Sequence, residues 1–140
     1  MKEKELDEVI LYSDGASSGN PGKAGAGWLL YDKEENLIKK GNEFIGITTN
    51  NVAEYMALIC GLEEALALRA KKVICFLDSE LLVRQIGGDY KVRNNILKLL
   101  YCQVKHLKSF FEKVSFNHIQ RLKNREADKL AKKATKGKRG

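Results

Sequence analysis

The stretch Val9-Ile10-Leu11-Tyr12-Ser13-Asp14 decides how this chain folds. Residues 8–14 are short, apolar and β-branched at the start, the pattern of a buried strand, and they end on a carboxylate. Val73-Ile74-Cys75-Phe76-Leu77-Asp78 is a second run of the same kind with the same ending. In open α/β sheets, ligands bind beyond the carboxyl ends of parallel strands. Asp14 and Asp78 hold that position if the two strands are neighbours.

Working outward, Gly15-Ala16-Ser17-Ser18-Gly19-Asn20-Pro21-Gly22 has the composition of a turn. Residues 25–31 and 37–45 predict a hairpin around the polar Lys33-Glu34-Glu35-Asn36. Val52, Tyr55, Ile59, Leu62 and Leu66 recur at steps of three and four, one buried helical face. That helix follows Thr49-Asn50-Asn51 and fades at Arg69-Ala70-Lys71-Lys72. Ser79 can cap a short helix that stops at Gly87-Gly88. Residues 94–110 predict a further helix with Ile96, Leu97, Leu100, Val104 and Leu107 inward. Residues 114–119 predict a last strand. Asn124 can cap a final helix to about residue 134, with Ala127, Leu130, Ala131 and Ala134 on its inner face. The order βββαβααβα predicts an α/β fold, a five-stranded mixed sheet with helices on both faces. The helix between strands one and four supplies the crossover that lets them run parallel.

The 140 residues fit one domain, 1–140, with loose ends at about 1–6 and 136–140. A hydrophobic content of 44% excludes disorder throughout. No apolar stretch is long enough to span a bilayer, so no membrane partner is expected. Met1-Lys2-Glu3-Lys4-Glu5 lacks the apolar segment of a signal peptide. Cys60, Cys75 and Cys102 are scattered through apolar contexts and read as reduced core residues of a cytoplasmic protein. The net charge of +7 suits a polyanionic partner. A basic run from Lys129 to Arg139 either binds phosphates or merely solvates the terminus.

Two more carboxylates stand out. Taking ~100° per residue, Glu54 and Asp128 each lie about 110° from the apolar centre of their helix, on the flank of the buried face. Each acid has an ordinary explanation alone. Asp is favoured in turns. Asn51-Val52-Ala53-Glu54 has capping-box spacing. Asp128 suits a helix N-terminus. None of these explains why two strand ends and two helix flanks all carry carboxylates. Brought together, the four repel one another unless cations neutralise them, which points to a metal site.

Four blocks carry a resemblance. Ser13-Asp14-Gly15-Ala16-Ser17-Ser18-Gly19-Asn20-Pro21-Gly22 with Gly25-Ala26-Gly27-Trp28, then Thr48-Thr49-Asn50-Asn51-Val52-Ala53-Glu54-Tyr55-Met56-Ala57-Leu58, then Leu77-Asp78-Ser79, then His118 with Asn124-Arg125-Glu126-Ala127-Asp128-Lys129-Leu130-Ala131, resemble in order the blocks of type 1 ribonucleases H. The match covers about residues 8–135. It implies the ribonuclease H-like fold and hydrolysis of the RNA strand of RNA–DNA hybrids, leaving 5′-phosphate and 3′-hydroxyl ends. It also implies that Asp14, Glu54, Asp78 and Asp128 bind two Mg2+ ions, for which Mn2+ can substitute, and that His118 relays a proton or helps product leave. Mg2+ prefers oxygen ligands and retains waters, so the residue types suit it.

By the same resemblance Gly15, Ser17, Asn20 and Asn51 contact the RNA, and Thr49 and Asn50 the DNA strand. Lys91 and Arg93 are candidates for further phosphate contacts. The chain departs from the pattern where many members carry a basic helix and a tryptophan-rich loop as a handle. Only residues 87–94 separate two helices here. Glu80 stands where a neutral residue is common. Double-stranded RNA is therefore a second candidate substrate, and a monomer is expected. A non-catalytic nucleic-acid-binding domain and another metal-dependent nuclease on the same fold are the rival readings.

Overall fold

The computed structural model describes residues 6–137. Its elements are β1 (Glu8–Gly19), β2 (Gly22–Asp32), β3 (Leu37–Thr48), α1 (Asn50–Ala67), β4 (Lys72–Leu77), α2 (Glu80–Ile86), α3 (Asn95–Lys108), β5 (Lys113–His118) and α4 (Arg125–Ala134), with a 3-10 turn at Arg121–Asn124 before α4. The sheet order is β3-β2-β1-β4-β5. β1, β2 and β3 pair antiparallel, whereas β4 runs parallel to both β1 and β5. This is the five-stranded mixed sheet and element order that the sequence pattern predicts.

The two sheet faces are assigned by two close approaches. A Cβ on Gly15 would lie 2.3 Å from the Ala53 carbonyl carbon and the Glu54 nitrogen of α1. A Cβ on Gly27 would lie 2.5 Å from the Ala127 oxygen of α4. Gly15 pairs with Ala26, and Asp14 pairs with Gly27. Neighbours along a strand point to opposite faces, so α1 covers one face and α4 the other. Val9, Leu11, Leu30, Tyr55, Leu58 and Leu62 are fully buried at the centre of the main core.

Several local expectations need correction. The segment 15–22 is not a broad turn. β1 continues to Gly19 because residues 15–19 pair in register with residues 22–26, and only Asn20 and Pro21 lie outside the ladder. α1 is capped by Thr49, whose hydroxyl accepts from the Val52 amide, so Asn51 is inside the helix and Glu54 is not part of a capping box. Asn94 caps α3 as expected, accepting from Ile96 and Leu97 amides. Ile96 is not inward but 58% exposed, because α3 turns Leu97, Val104 and Leu107 to the core. Cys102 is exposed on α3, unlike buried Cys75. Leu6 packs against the core and its carbonyl accepts from the Lys71 amide, so residue 6 is not a loose end. The loose ends expected at residues 1–5 and 138–140, with Lys138 and Arg139 of the basic run, lie outside the described residues.

The absence of a side chain at Gly27 lets α4 rest on the backbone of β2. Gly27→Ala is expected to cost about 1–3 kcal/mol, the usual penalty of overpacking. Urea unfolding followed by circular dichroism checks it.

Candidate metal centre

β4 stops at Leu77, and its ladder with β1 ends at the Tyr12–Phe76 pair. β1 runs seven residues further, from Ser13 to Gly19. A notch therefore opens beside Asp14 where β4 turns away, and Asp78 is the first residue past the end of β4. α1 delivers Glu54 from one sheet face and α4 delivers Asp128 from the other. The two glycine contacts fix how near those helices come.

Asp14, Glu54, Asp78 and Asp128 all line one cavity of ≈ 450 Å³, together with Gly15, Ser17, Asn50, Arg121 and Lys132. One carboxylate oxygen from each of Asp14, Glu54 and Asp78 lies within 4.8 Å of the others. Asp128 stands beside this trio. It hydrogen-bonds Asp14, and its Oδ2 is 3.1 Å from Lys132 Nζ. A larger groove of ≈ 630 Å³ lies over Tyr12, Tyr31 and Phe76, but it lacks the converging carboxylates.

The electrostatics are those of too much negative charge. Burial first, then the Asp78 charge, a hydrogen bond with Asp128 and the charges of Glu54 and Asp128, push Asp14 up to about 9. Burial pushes Glu54 up to about 7, with Asp78 adding to it, while hydrogen bonds from Ser79 and Asn50 and the charge of Arg121 pull it down. Against four acids, the cavity offers two cations among the described residues, Arg121 and Lys132. An all-oxygen cluster of partly desolvated carboxylates is the donor set of a hard divalent cation. Such a cation would remove the repulsion that raises both groups.

Asn124 is a residue whose role the sequence did not reveal. It stands at the N-cap position of α4 but makes no capping bond. Its side chain is buried, and its Nδ2 donates to the Ser13 carbonyl and to Asp78 Oδ2, both at 2.9 Å. It thus ties Asp78 to β1. Arg121, in the 3-10 turn, was also missed. Its signal was a cation three residues after His118, in a segment with no pattern of its own.

Other expected residues are more dispersed. His118 is exposed at the end of β5, paired with Leu77, and does not line the carboxylate cavity. Asn20 is exposed, and its side-chain oxygen accepts from the Asn50 amide at 3.1 Å, joining the β1–β2 turn to α1. Gly15 and Ser17 line the cavity, with Gly15 buried against α1 rather than free in a turn. Thr49 and Asn51 are exposed at the start of α1. Lys91 and Arg93 are exposed between α2 and α3, away from the cavity lining.

Two substitutions should move stability in opposite directions. The folded protein raises Asp14 above its ordinary 3.8. Its contribution is therefore fully favourable only below about pH 4 and is lost as pH rises through about 9. In chelator at pH 8, Asp14→Asn is expected to stabilise the protein by ~1–3 kcal/mol, a gain that shrinks toward pH 4. Asn124→Ala is expected to destabilise it by about 1–3 kcal/mol, because the Ser13 carbonyl loses its buried donor. Thermal melts across pH in chelator measure both.

A family model described as reverse transcriptase-like matches residues 12–134. The bifunctional protein Rv2228c of Mycobacterium tuberculosis is 38% identical over 128 residues, which is 91% of this chain and 35% of that protein. The chain thus spans about a third of the length of its mycobacterial relatives. The solved N-terminal RNase H domain of Rv2228c superposes with a TM-score of 0.89, covering 91% of this chain and 98% of that one at 38% identity. RNase H1 of Halobacterium salinarum gives a TM-score of 0.90 at 36% identity, covering 92% and 98%. LC11-RNase H1, solved in complex with an RNA/DNA hybrid, gives 0.86 at 41% identity, covering 91% and 96%. In sequence and in fold, this chain belongs to the ribonuclease H family.

Proposed function

We propose that the chain is an endoribonuclease that hydrolyses the RNA strand of RNA–DNA hybrids and leaves 5′-phosphate and 3′-hydroxyl ends. The observation that carries this reading is the convergence of Asp14, Glu54, Asp78 and Asp128 on one cavity. The hybrid held by the 41% identical LC11-RNase H1 supports the substrate. Residues 1–140 act as one catalytic domain, a cytoplasmic monomer, with double-stranded RNA as a weaker substrate.

Asp14, Glu54, Asp78 and Asp128 would hold two Mg2+ ions, with Mn2+ as a substitute. When bound, such a pair activates the attacking water and stabilises the leaving 3′ oxygen. The chain's own residues do the rest. Asn124 restrains the Asp78 carboxylate, so that donor is oriented before any ligand arrives. Arg121, close enough to Glu54 to lower its pKa, presents a guanidinium to a substrate phosphate oxygen. His118, exposed at the end of β5 and outside the cavity lining, would carry a proton to or from the reacting oxygens. Lys132 is paired with Asp128 and balances part of the excess charge.

Only the RNA strand carries 2′-hydroxyls, so selectivity needs groups that read them. Ser17, Asn20, Asn51 and the backbone of Gly15 line or flank the cavity where that strand would run. Thr49 and Asn50 meet the DNA strand at the start of α1, and Lys91 and Arg93 add phosphate contacts.

Labelled RNA–DNA hybrid should be cut in Mg2+ or Mn2+ and left intact in chelator. Asp14→Asn and Asp78→Asn are expected to lower kcat by about 10³-fold or more, and His118→Ala by about 10- to 100-fold. Steady cleavage by the Asp14 variant, or equal cutting of hybrid and plain duplex DNA, would remove this reading.

A further inference from the structure

The ≈ 630 Å³ groove over Tyr12, Tyr31 and Phe76 does not end at α4. A second cleft of ≈ 250 Å³ shares Leu29, Tyr31 and Glu126 with it, so the two run together round the N-terminal end of that helix. The sheet makes the floor. Ile10 and Tyr12 alternate with the core residues Val9 and Leu11, and so point to the α4 face. Register places Phe76 beside Tyr12 and Tyr31 beside Ile10 on that face. α4 packs on Gly25 and Gly27, and the three rings beyond its first turn are left half-buried. They form one platform. Tyr12 and Phe76 stack with centroids 5.2 Å apart, and Tyr31 meets Tyr12 edge to face at 5.7 Å.

The walls are basic. Among the described residues, Lys40, Lys123, Arg125, Lys129 and Lys133 line the two clefts, against Glu35 and Glu126. Glu126 is itself 4.0 Å from Lys129. Lys129 and Lys133 come from the basic run near the C-terminus, so that part of the run faces a groove and does more than solvate the terminus.

We infer that this groove is a binding site for single-stranded nucleic acid, separate from the carboxylate cavity. Half-exposed rings between cations are what an unpaired strand needs, because its bases stack on the rings while its phosphates meet the basic walls. A duplex matches the charge but keeps its bases stacked inside. A second copy of this chain would bring two electropositive grooves together. An acidic peptide matches the walls but brings no base to stack on the rings. The 3-10 turn Arg121–Asn124 divides the two sites, since Arg121 lines the carboxylate cavity and Leu122 and Lys123 line the groove. The inference goes beyond hybrid cleavage and does not rest on it.

The test uses the full chain in chelator and fluorescent 12-mers of deoxythymidine and of uridine, read by anisotropy. Saturable binding of either supports the inference, and the tighter of the two identifies the strand. An abasic 12-mer with the same phosphates should bind about tenfold more weakly. Tyr31→Leu should weaken binding of the intact 12-mer about tenfold while hybrid cleavage stays near wild type. The double variant Arg125→Gln, Lys133→Gln, on exposed positions, should lower the slope of log K against log salt by about 1.4, or about 0.7 per lost phosphate contact. Equal binding of abasic and intact 12-mers would overturn the inference. So would unchanged binding by both the Tyr31 and the double variant, or equal binding of a glutamate-rich peptide.

Discussion

Like charges held within a few ångströms of one another are the constraint on which the rest of this molecule depends. Asp14, Glu54 and Asp78 bring carboxylate oxygens within 4.8 Å, and Asp128 hydrogen-bonds to the same cluster. No group in this arrangement prefers it. Two unit charges ~4 Å apart repel by about 4 kcal/mol at an effective dielectric near 20, a large share of what holds a domain together. The scaffold must supply the compensating stability elsewhere, and an isolated side chain could not.

That scaffold works through backbone contacts. Gly15 and Gly27 let two helices approach opposite faces of the same strand pair more closely than any side chain would permit. Each helix carries one acid on the flank of its buried stripe, so the packing of Ala53 and Ala127 determines where Glu54 and Asp128 stand. The early end of β4 leaves room for them beside Asp14. Asn124 completes the arrangement from below by donating to Asp78 and to the β1 carbonyl at Ser13. Asp14, Glu54 and Asp128 are therefore carried on a strand and two helices, and Asp78 stands one residue past the end of β4, which suits precise positioning of hard ligands.

Much of this is legible in the chain itself. β1 and β4 read as unbroken apolar runs, although Ile10, Tyr12, Ile74 and Phe76 on one face are only half-buried, and α1 and α4 show their stripes at helical spacing. The four acids stand out because each contradicts the pattern around it. What is not legible depends on partners distant in sequence. Residues 15–22 have turn composition, yet pairing across Asn20 and Pro21 draws most of them into strands. Asn124 looks like a helix cap, and only the proximity of β1 and Asp78 gives its amide a different use. Cys102 and Ile96 resemble core residues because α3 is apolar on more than one side. The arginine at position 121 has no pattern around it, and its place beside Glu54 follows from the 3-10 turn alone.

The most direct measurement is isothermal titration calorimetry of Mn2+ into the protein carrying an uncleavable hybrid, with Asp14→Asn alongside. Two saturable sites in the wild-type protein and the loss of at least one in the variant are what this account requires. Identical metal binding by both proteins, or none by either, would mean that the converged carboxylates do not serve divalent ions at all.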